Sequence, residues 1–485
     1  MSEEPSIADK DIRAKKTNDK KTDDAVEQSL YAKREKIYPR EVHGLFAAFR
    51  TAGVTILLGF YYIAPWLQWD ERQAVLFDLP ERKFYILNMV FWPQDFFYLA
   101  LLLIVSALGL FFVTALAGRV WCGYACPQTV WTEAFLWIER KVEGSRPQQM
   151  KLDKAPNSFR KIRIKATKHF IWITFSLFTG LTFVGYFSPM RELASNFIIF
   201  NNGPWEAFWI YFYALATYGN AGWLREQVCM YMCPYARFQS AMFDKDTMII
   251  SFDPERGLPK GPRKKTADIN IAGPDGSRLG DCIDCTICVQ VCPTGIDIRD
   301  GLQYQCIGCA ACIDACDDVM DKMGYDRGLV RYTTENTLLG KKTDVFRPRV
   351  IFYALILLSI IAGSFYSILT RTPIALDVIR DRNSLYRETN EGLIENVYII
   401  KLMNMDKHDH TFNLSVAGIP ELILKKDTDI IAVKSGEVVE LPVRVQVDAY
   451  NLKSRSNEIL FTLDAKEMDN LTVTEDARFL GPSFR

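Results

Sequence analysis

The chain has 485 residues, with 58 Lys and Arg balanced by 58 Asp and Glu. That balance excludes the basic footprint of a nucleic-acid-binding protein and a function built on an acidic tail, and the length allows two or three domains. The mean hydropathy of -0.01 averages strongly apolar runs with the charged stretches between them, so it conceals a membrane protein.

Residues 1–45 are dense in charge and have no apolar h-region. They are no secretory signal and read as a charged cytosolic tail with too little apolar surface to offset the entropy of ordering. Four segments of about 20 uncharged, apolar residues follow, at 51–69, 96–118, 170–190 and 350–369, each apolar on all faces as a membrane span must be. A further candidate, 203–224, carries Glu206 and Asn220. Glu206 is a functional candidate as an intramembrane carboxylate, or a solvated residue near a span end.

The basic residues decide the topology. Residues 1–45 hold ten Lys/Arg and 119–165 another ten, whereas 68–95 hold three and 189–204 one. The positive-inside rule puts the first two stretches in the cytosol. Were 203–224 not to cross, the basic stretch with Arg263, Lys264 and Lys265 would lie outside, so parity favours five spans. The expected layout is a multi-pass bacterial inner-membrane protein embedded in lipid, with a cytosolic N-terminus and a periplasmic C-terminus. Residues 46–248 form a four-helix transmembrane region and 346–372 hold the fifth transmembrane α-helix. Trp66, Trp69, Trp92, Trp205 and Trp223 then fall near span ends, as interfacial aromatics do.

All twelve cysteines lie between residues 122 and 316, in ligand-like groups. Cys282, Cys285, Cys288 and Cys292-Pro293 spell C-x-x-C-x-x-C-x-x-x-C-P, and Cys306, Cys309, Cys312 and Cys316 repeat the spacing. In two-cluster ferredoxins the fourth cysteine of each run ligates the other cluster. The runs therefore predict a cytosolic, bacterial-ferredoxin-like α+β domain over 249–345 with two [4Fe-4S] clusters. Cys282, Cys285, Cys288 and Cys316 hold one, and Cys292, Cys306, Cys309 and Cys312 the other. Zinc sites fit less well, since no His lies between His169 and His408, and a reducing cytosol disfavours disulfides. Asp317 and Asp318 stand where the first run has its proline.

The remaining cysteines form two matching hexads, Cys122-Gly-Tyr124-Ala-Cys126-Pro127 and Cys229-Met-Tyr231-Met-Cys233-Pro234, after the second and fourth spans. Their repetition implies pseudo-symmetry that brings both pairs to one membrane face. Cysteines four apart share a helix face, and each proline marks a helix boundary. Three readings stand for Cys122, Cys126, Cys229 and Cys233: a soft thiolate site flanked by Met230 and Met232 that selects Cu(I), a third cluster, or buried structural thiols. Arg119 and Arg225, just upstream, either lower the thiol pKa values or anchor the spans.

Residues 373–485 change to short β-like stretches at 397–403, 429–433, 438–447 and 459–463. Val443, Val445 and Val447 alternate with Arg444, Gln446 and Asp448. This predicts a periplasmic, immunoglobulin-like β-sandwich without disulfides. Met403, Met405, His408 and His410 form a possible copper cluster there, or an ordinary polar hairpin.

The hexads after the second and fourth spans, the ferredoxin runs, the fifth span, the outer β-domain and the stretch Arg72-Gln-Ala-Val-Leu-Phe-Asp-Leu-Pro-Glu-Arg-Lys-Phe together resemble the CcoG/FixG/RdxA family of cbb3-type cytochrome oxidase accessory proteins. The resemblance covers the chain beyond residue 38. NapH- and NosR-like membrane ferredoxins share the cysteine motifs, but the added β-domain favours the former. The resemblance implies a cupric reductase that makes Cu(I) for the copper centre of a cbb3-type oxidase, upstream of a copper-exporting P-type ATPase or copper chaperone. It carries metal contact onto the eight ferredoxin cysteines and a candidate catalytic copper site onto Cys122, Cys126, Cys229 and Cys233. The alternatives are a relay between a cytosolic donor and quinone, and a non-enzymatic scaffold for oxidase assembly. The chain has no GxGxxG fingerprint, flavin site or CxxCH, so a separate electron donor is expected.

Overall fold

A computed structural model describes residues 36–69, 72–87, 89–263, 279–406, 408–426, 428, 430–465 and 471–482. The tail expected over 1–35, and Lys264 and Lys265, lie outside the described residues. The chain divides into two compact units, Met1–Ile361 and Ala362–Arg485.

In the first unit, α2 (Phe96–Ala117) is apolar around its whole circumference, while α1 (Leu45–Ile63) is apolar except for Arg50 in its first turns and has no fully buried residue. Among the described residues three helical stretches, Leu45–Trp66, Pro93–Ala117 and Pro348–Leu369, are long and apolar enough to cross a membrane. The other two expected spans have a different form. The helix over the third, Phe159–Val184, begins with Arg160, Lys161, Arg163, Lys165 and Lys168. The fourth is an α-helix over Pro204–Thr217 that widens into a π-helix at Tyr218–Leu224. These two helices pack closely through Gly180, where an added Cβ would stand 2.3 Å from the Ile210 carbonyl oxygen. Glu206 accepts from the Gly203 backbone N–H at 3.2 Å, so it closes a helix start.

The stretch 72–84 forms part of a small β-meander, β1 (Val75–Asp78), β2 (Lys83–Ile86) and β3 (Met89–Phe91). Buried Gln73 donates to the Gly185 carbonyl at 2.7 Å and accepts from the Met190 N–H at 2.9 Å, which ties this loop to the end of the third helix.

Between the helices, β4 (Ile249–Phe252) pairs antiparallel with β5 (Val330–Thr333), from Ile249 opposite Thr333 to Phe252 opposite Val330. This two-stranded ribbon closes the segment that carries both cysteine runs. The short helix Ile287–Gln290 follows within the first run, and α3 (Ala311–Met323) within the second. Ile250, Phe252, Ile298, Ile313, Met320 and Leu329 pack beneath them as one core.

The second unit is a sandwich of two antiparallel sheets. Going across one sheet, the strands are Ile423–Lys425, Val438–Val447, Ile394–Asn404 and Ile374–Arg380, with Arg387–Glu388 paired onto Ile394–Asn404. The other is Ile431–Val433, His410–Ala417, Ser456–Ala465 and Thr472–Leu480. Tyr398, Phe412, Val445, Phe461 and Phe479 fill the space between them. The alternation at 443–448 breaks at Gln446, which is buried because its amide donates to Glu395, also buried, at 2.6 Å.

Candidate functional site

The two cysteine runs wind the same way. Asp284 and Thr286 in the first, and Gly308 and Ala310 in the second, all have φ between 56° and 69° at matching positions. These left-handed turns let each loop curl round a centre instead of continuing as a helix. Each loop encloses a small cavity. One, of about 20 Å³, is lined by Cys282, Cys285, Cys288 and Cys316. The other, also of about 20 Å³, is lined by Cys288, Cys292, Cys306, Cys309 and Cys312.

The electrostatics follow the same grouping. Burial pushes the Cys316 thiol up to about 12, reinforced by Cys288, Asp317, Cys282 and Cys285. Burial likewise raises Cys309 to about 12, opposed by Arg50 and reinforced by Cys292 and Cys306. No group of three or more His, Cys, Asp or Glu among the described residues is arranged round a single metal ion.

Cys126 and Cys233 are both extended, and Pro127 and Pro234 open the helices α4 (Pro127–Glu143) and α5 (Pro234–Met242) that follow. Cross-links bring the two hexads together. The Cys122 thiol donates to Gln239 of α5 at 3.4 Å, and Gln128 of α4 donates to the Asn220 and Arg225 carbonyls at 2.9 and 3.1 Å. All four cysteines are half-buried. Burial pushes Cys122 up to about 11 and Cys229 to about 12, each reinforced by its neighbours in this group. Arg119 does lower the Cys122 pKa, but burial outweighs it. Arg119 and Arg225 do not reach outward as anchors: both are buried and bond to carbonyls or, for Arg225, also to Glu139 at 2.8 Å. Met232 is 59% exposed and does not cover the thiols.

The first hexad packs directly on the second ferredoxin run. A Cβ on Gly123 would stand 2.8 Å from both the Cα and the backbone nitrogen of Cys309, so only glycine fits. Arg119 donates to the carbonyls of Tyr304, Cys306 and Ala236, joining the run to both hexads. Arg50 of α1 donates to the Cys309 carbonyl, and Tyr332 donates to that of Gly308 at 2.7 Å while standing 3.4 Å from Tyr124. Asp314 of α3 accepts from the Phe46 and Ala47 N–H groups at 3.1 and 2.7 Å and so caps α1, whose own cap position is Gly44. None of these positioning residues carries a ligand motif; the pairing of each hexad with an upstream arginine was the one available signal.

In the second unit, His410 is buried against Asp406 at 2.8 Å, Met405 sulfur accepts from Arg371, Met403 is buried and His408 is exposed.

Comparison with known proteins matches residues 224–335 to the family described as "4Fe-4S dicluster domain", residues 99–144 to "4Fe-4S binding domain", and residues 364–482 to the "IG-like fold at C-terminal of FixG". The "Nitrogen fixation protein FixG" of Rhizobium meliloti is 39% identical over 433 residues, covering 82% of each chain. The chain belongs to the FixG family. "Protein RdxB" of Cereibacter sphaeroides is 40% identical over 415 residues, 83% of this chain and 86% of that one. A crystal structure of a FixG-related protein from Vibrio parahaemolyticus aligns over 22% of this chain and 95% of its own, at 32% identity and a TM-score of 0.21. This FixG-family chain is accordingly an iron-sulfur electron-transfer protein of the membrane, with an immunoglobulin-like C-terminal domain. The first hexad lies inside the 99–144 match, so that family description spans Cys122 and Cys126 as well.

Proposed function

We propose that the protein reduces Cu(II) to Cu(I) at the paired hexads, with electrons delivered through two [4Fe-4S] clusters, in service of copper-centre assembly in a cbb3-type oxidase. In this reading five helices cross the inner membrane, with the N-terminus cytosolic and the C-terminus periplasmic, and the product passes to a copper chaperone or exporting ATPase. Cys282, Cys285, Cys288 and Cys316 would hold one cluster and Cys292, Cys306, Cys309 and Cys312 the other. Bound clusters supply one-electron carriers. Cys122, Cys126, Cys229 and Cys233 are the candidate catalytic residues, since thiolates favour Cu(I) over Cu(II) and so bind the product state preferentially.

The observation that carries the reading is the close packing of Gly123 on Cys309. It sets a thiol group on a cluster-ligand loop with no side chain between the two backbones. A second reading, favoured by the family match at 99–144, has the four hexad cysteines hold an additional cluster. Replacing all four by Ala and measuring iron, insertion and Cu(II) reduction by the dithionite-reduced protein tests both. Copper reduction should fall with iron unchanged at about eight per chain. Lost iron would favour the additional cluster, and undiminished copper reduction would leave these cysteines as structural thiols.

A further inference from the structure

We propose that the cavity between α1, α4 and the Cys309 loop binds the ring of a membrane quinone or its hydroquinone. The cavity measures about 1100 Å³, large for a small-molecule site. Ala52 and Thr55 of α1 form one wall, Thr132 and Trp137 of α4 the other, and Cys309 and Cys229 also line it. It therefore touches both the proposed cluster and the proposed copper thiols. Its sides are those of a membrane-spanning helix, and Ile56 and Trp137 on its rim are 69% and 55% exposed. A lipid-soluble molecule can enter there, and a water-soluble donor has no advantage.

The polar groups suit a quinone. A quinone carries two oxygens across a flat, uncharged ring and needs a few hydrogen-bonding groups, which the Thr132 hydroxyl and the remaining N–H groups of Arg50 provide. A phospholipid headgroup needs unneutralised cations for its phosphate. Here Arg140 is paired with Glu133 at 2.8 Å and Arg225 with Glu139 at 2.8 Å, whereas Arg50, bonded to the neutral Cys309 carbonyl, and exposed Arg40 keep their charge, so competition by an anionic lipid is an outcome of the test below.

The proposal rests on the copper-reductase reading and supplies its reductant. One hydroquinone gives two electrons and two protons: QH₂ + 2 Cu²⁺ → Q + 2 Cu⁺ + 2 H⁺. The protons can leave past His43 and Glu41, which are exposed where they line the cavity.

The test uses full-length, iron-loaded protein in phosphatidylcholine nanodiscs, titrated with decylubiquinone while tryptophan fluorescence is followed. Saturable quenching is expected. Thr132→Phe and Ala52→Phe, which fill the cavity from opposite walls, should each weaken binding at least tenfold with iron content unchanged. Leu103→Phe, on α2 and outside the cavity, should bind as wild type. Quenching no greater than in empty nanodiscs, wild-type affinity in both filling variants, or displacement of the quinone by added phosphatidylglycerol would overturn the proposal. Should a Phe variant lose iron, Ala52→Leu replaces it under the same criteria. Wild-type protein reduced by dithionite and given Cu(II) tests the reductase reading separately: absence of Cu(I) there, with saturable quinone binding, ends that reading and not the site.

Discussion

Replacing Arg119 by Met keeps most of the stem volume and removes every donor. Three carbonyls, those of Tyr304, Cys306 and Ala236, then lose a charge-assisted hydrogen bond. Each such bond contributes about 1.5–3 kcal/mol, but water and small shifts recover part of it, so a net local loss of about 3–4 kcal/mol follows. The loss falls on the joint between the hexads and the second cysteine run. A penalty of about 3 kcal/mol raises local opening roughly 100-fold. Hydrogen-deuterium exchange should register it in peptides covering 302–312 and 234–242, with peptides from 394–404 unchanged. Arg119→Lys retains the charge but presents a single ammonium to three separated carbonyls, so it should restore only part of the protection. Unchanged exchange over 302–312 in Arg119→Met would refute the account of Arg119 as the tie between these segments.

Cys316→Ala and Cys282→Ala should remove the same electron paramagnetic resonance signal and each lower iron from about eight to about four per chain, because the two residues line one cavity. A signal lost with Cys316 that matches the one lost with Cys306 would contradict the crossed assignment. Glu139 is buried, which alone would raise its pKa, yet Arg225, Lys36 and Lys168 outweigh burial and hold it at about 2 against an ordinary 4.5. A depressed carboxylate stabilises the fold fully above the ordinary pKa and progressively less as pH falls toward 2, by about 3 kcal/mol in all. Glu139→Gln should therefore lower the melting temperature at pH 7, with the gap to wild type narrowing as pH falls below 4.5; a gap independent of pH would refute this.

How much of this was legible in the sequence depended on the range of the interaction. The cysteine runs were readable because each is a local loop whose ligands lie three or four residues apart, and the hexads because the same six-residue pattern occurs twice. The long strands were readable from alternation: 438–447 agrees at both ends with Val438–Val447, while 459–463 recovers the middle of Ser456–Ala465. Gln446 escaped because its partner Glu395 lies on a neighbouring strand 51 residues away. Asp314 and Arg119 escaped for a similar reason: the first caps a helix 267–268 residues upstream, and the second bonds carbonyls 117–187 residues away. No periodicity records such contacts, and an arginine at a span end carries the same local signature whether it meets lipid or protein.

The two ferredoxin runs make the point most directly, because their spacing is identical and their settings are not. At the third position of the first run stands Asp284, whose side chain is 48% exposed and pairs with Arg299. At the third position of the second stands Gly308, where a Cβ would lie 2.9 Å from the Arg119 carbonyl oxygen. Both positions need a positive φ, which Asp tolerates and Gly adopts freely. The choice between them is therefore set by what lies above the loop. Cys285, beside Asp284, is exposed, while Cys309, beside Gly308, is covered by Gly123 of the first hexad. The pair of loops thus has a direction, one end facing solvent and the other facing the paired thiols, and an electron carrier bound in each would connect those two surfaces.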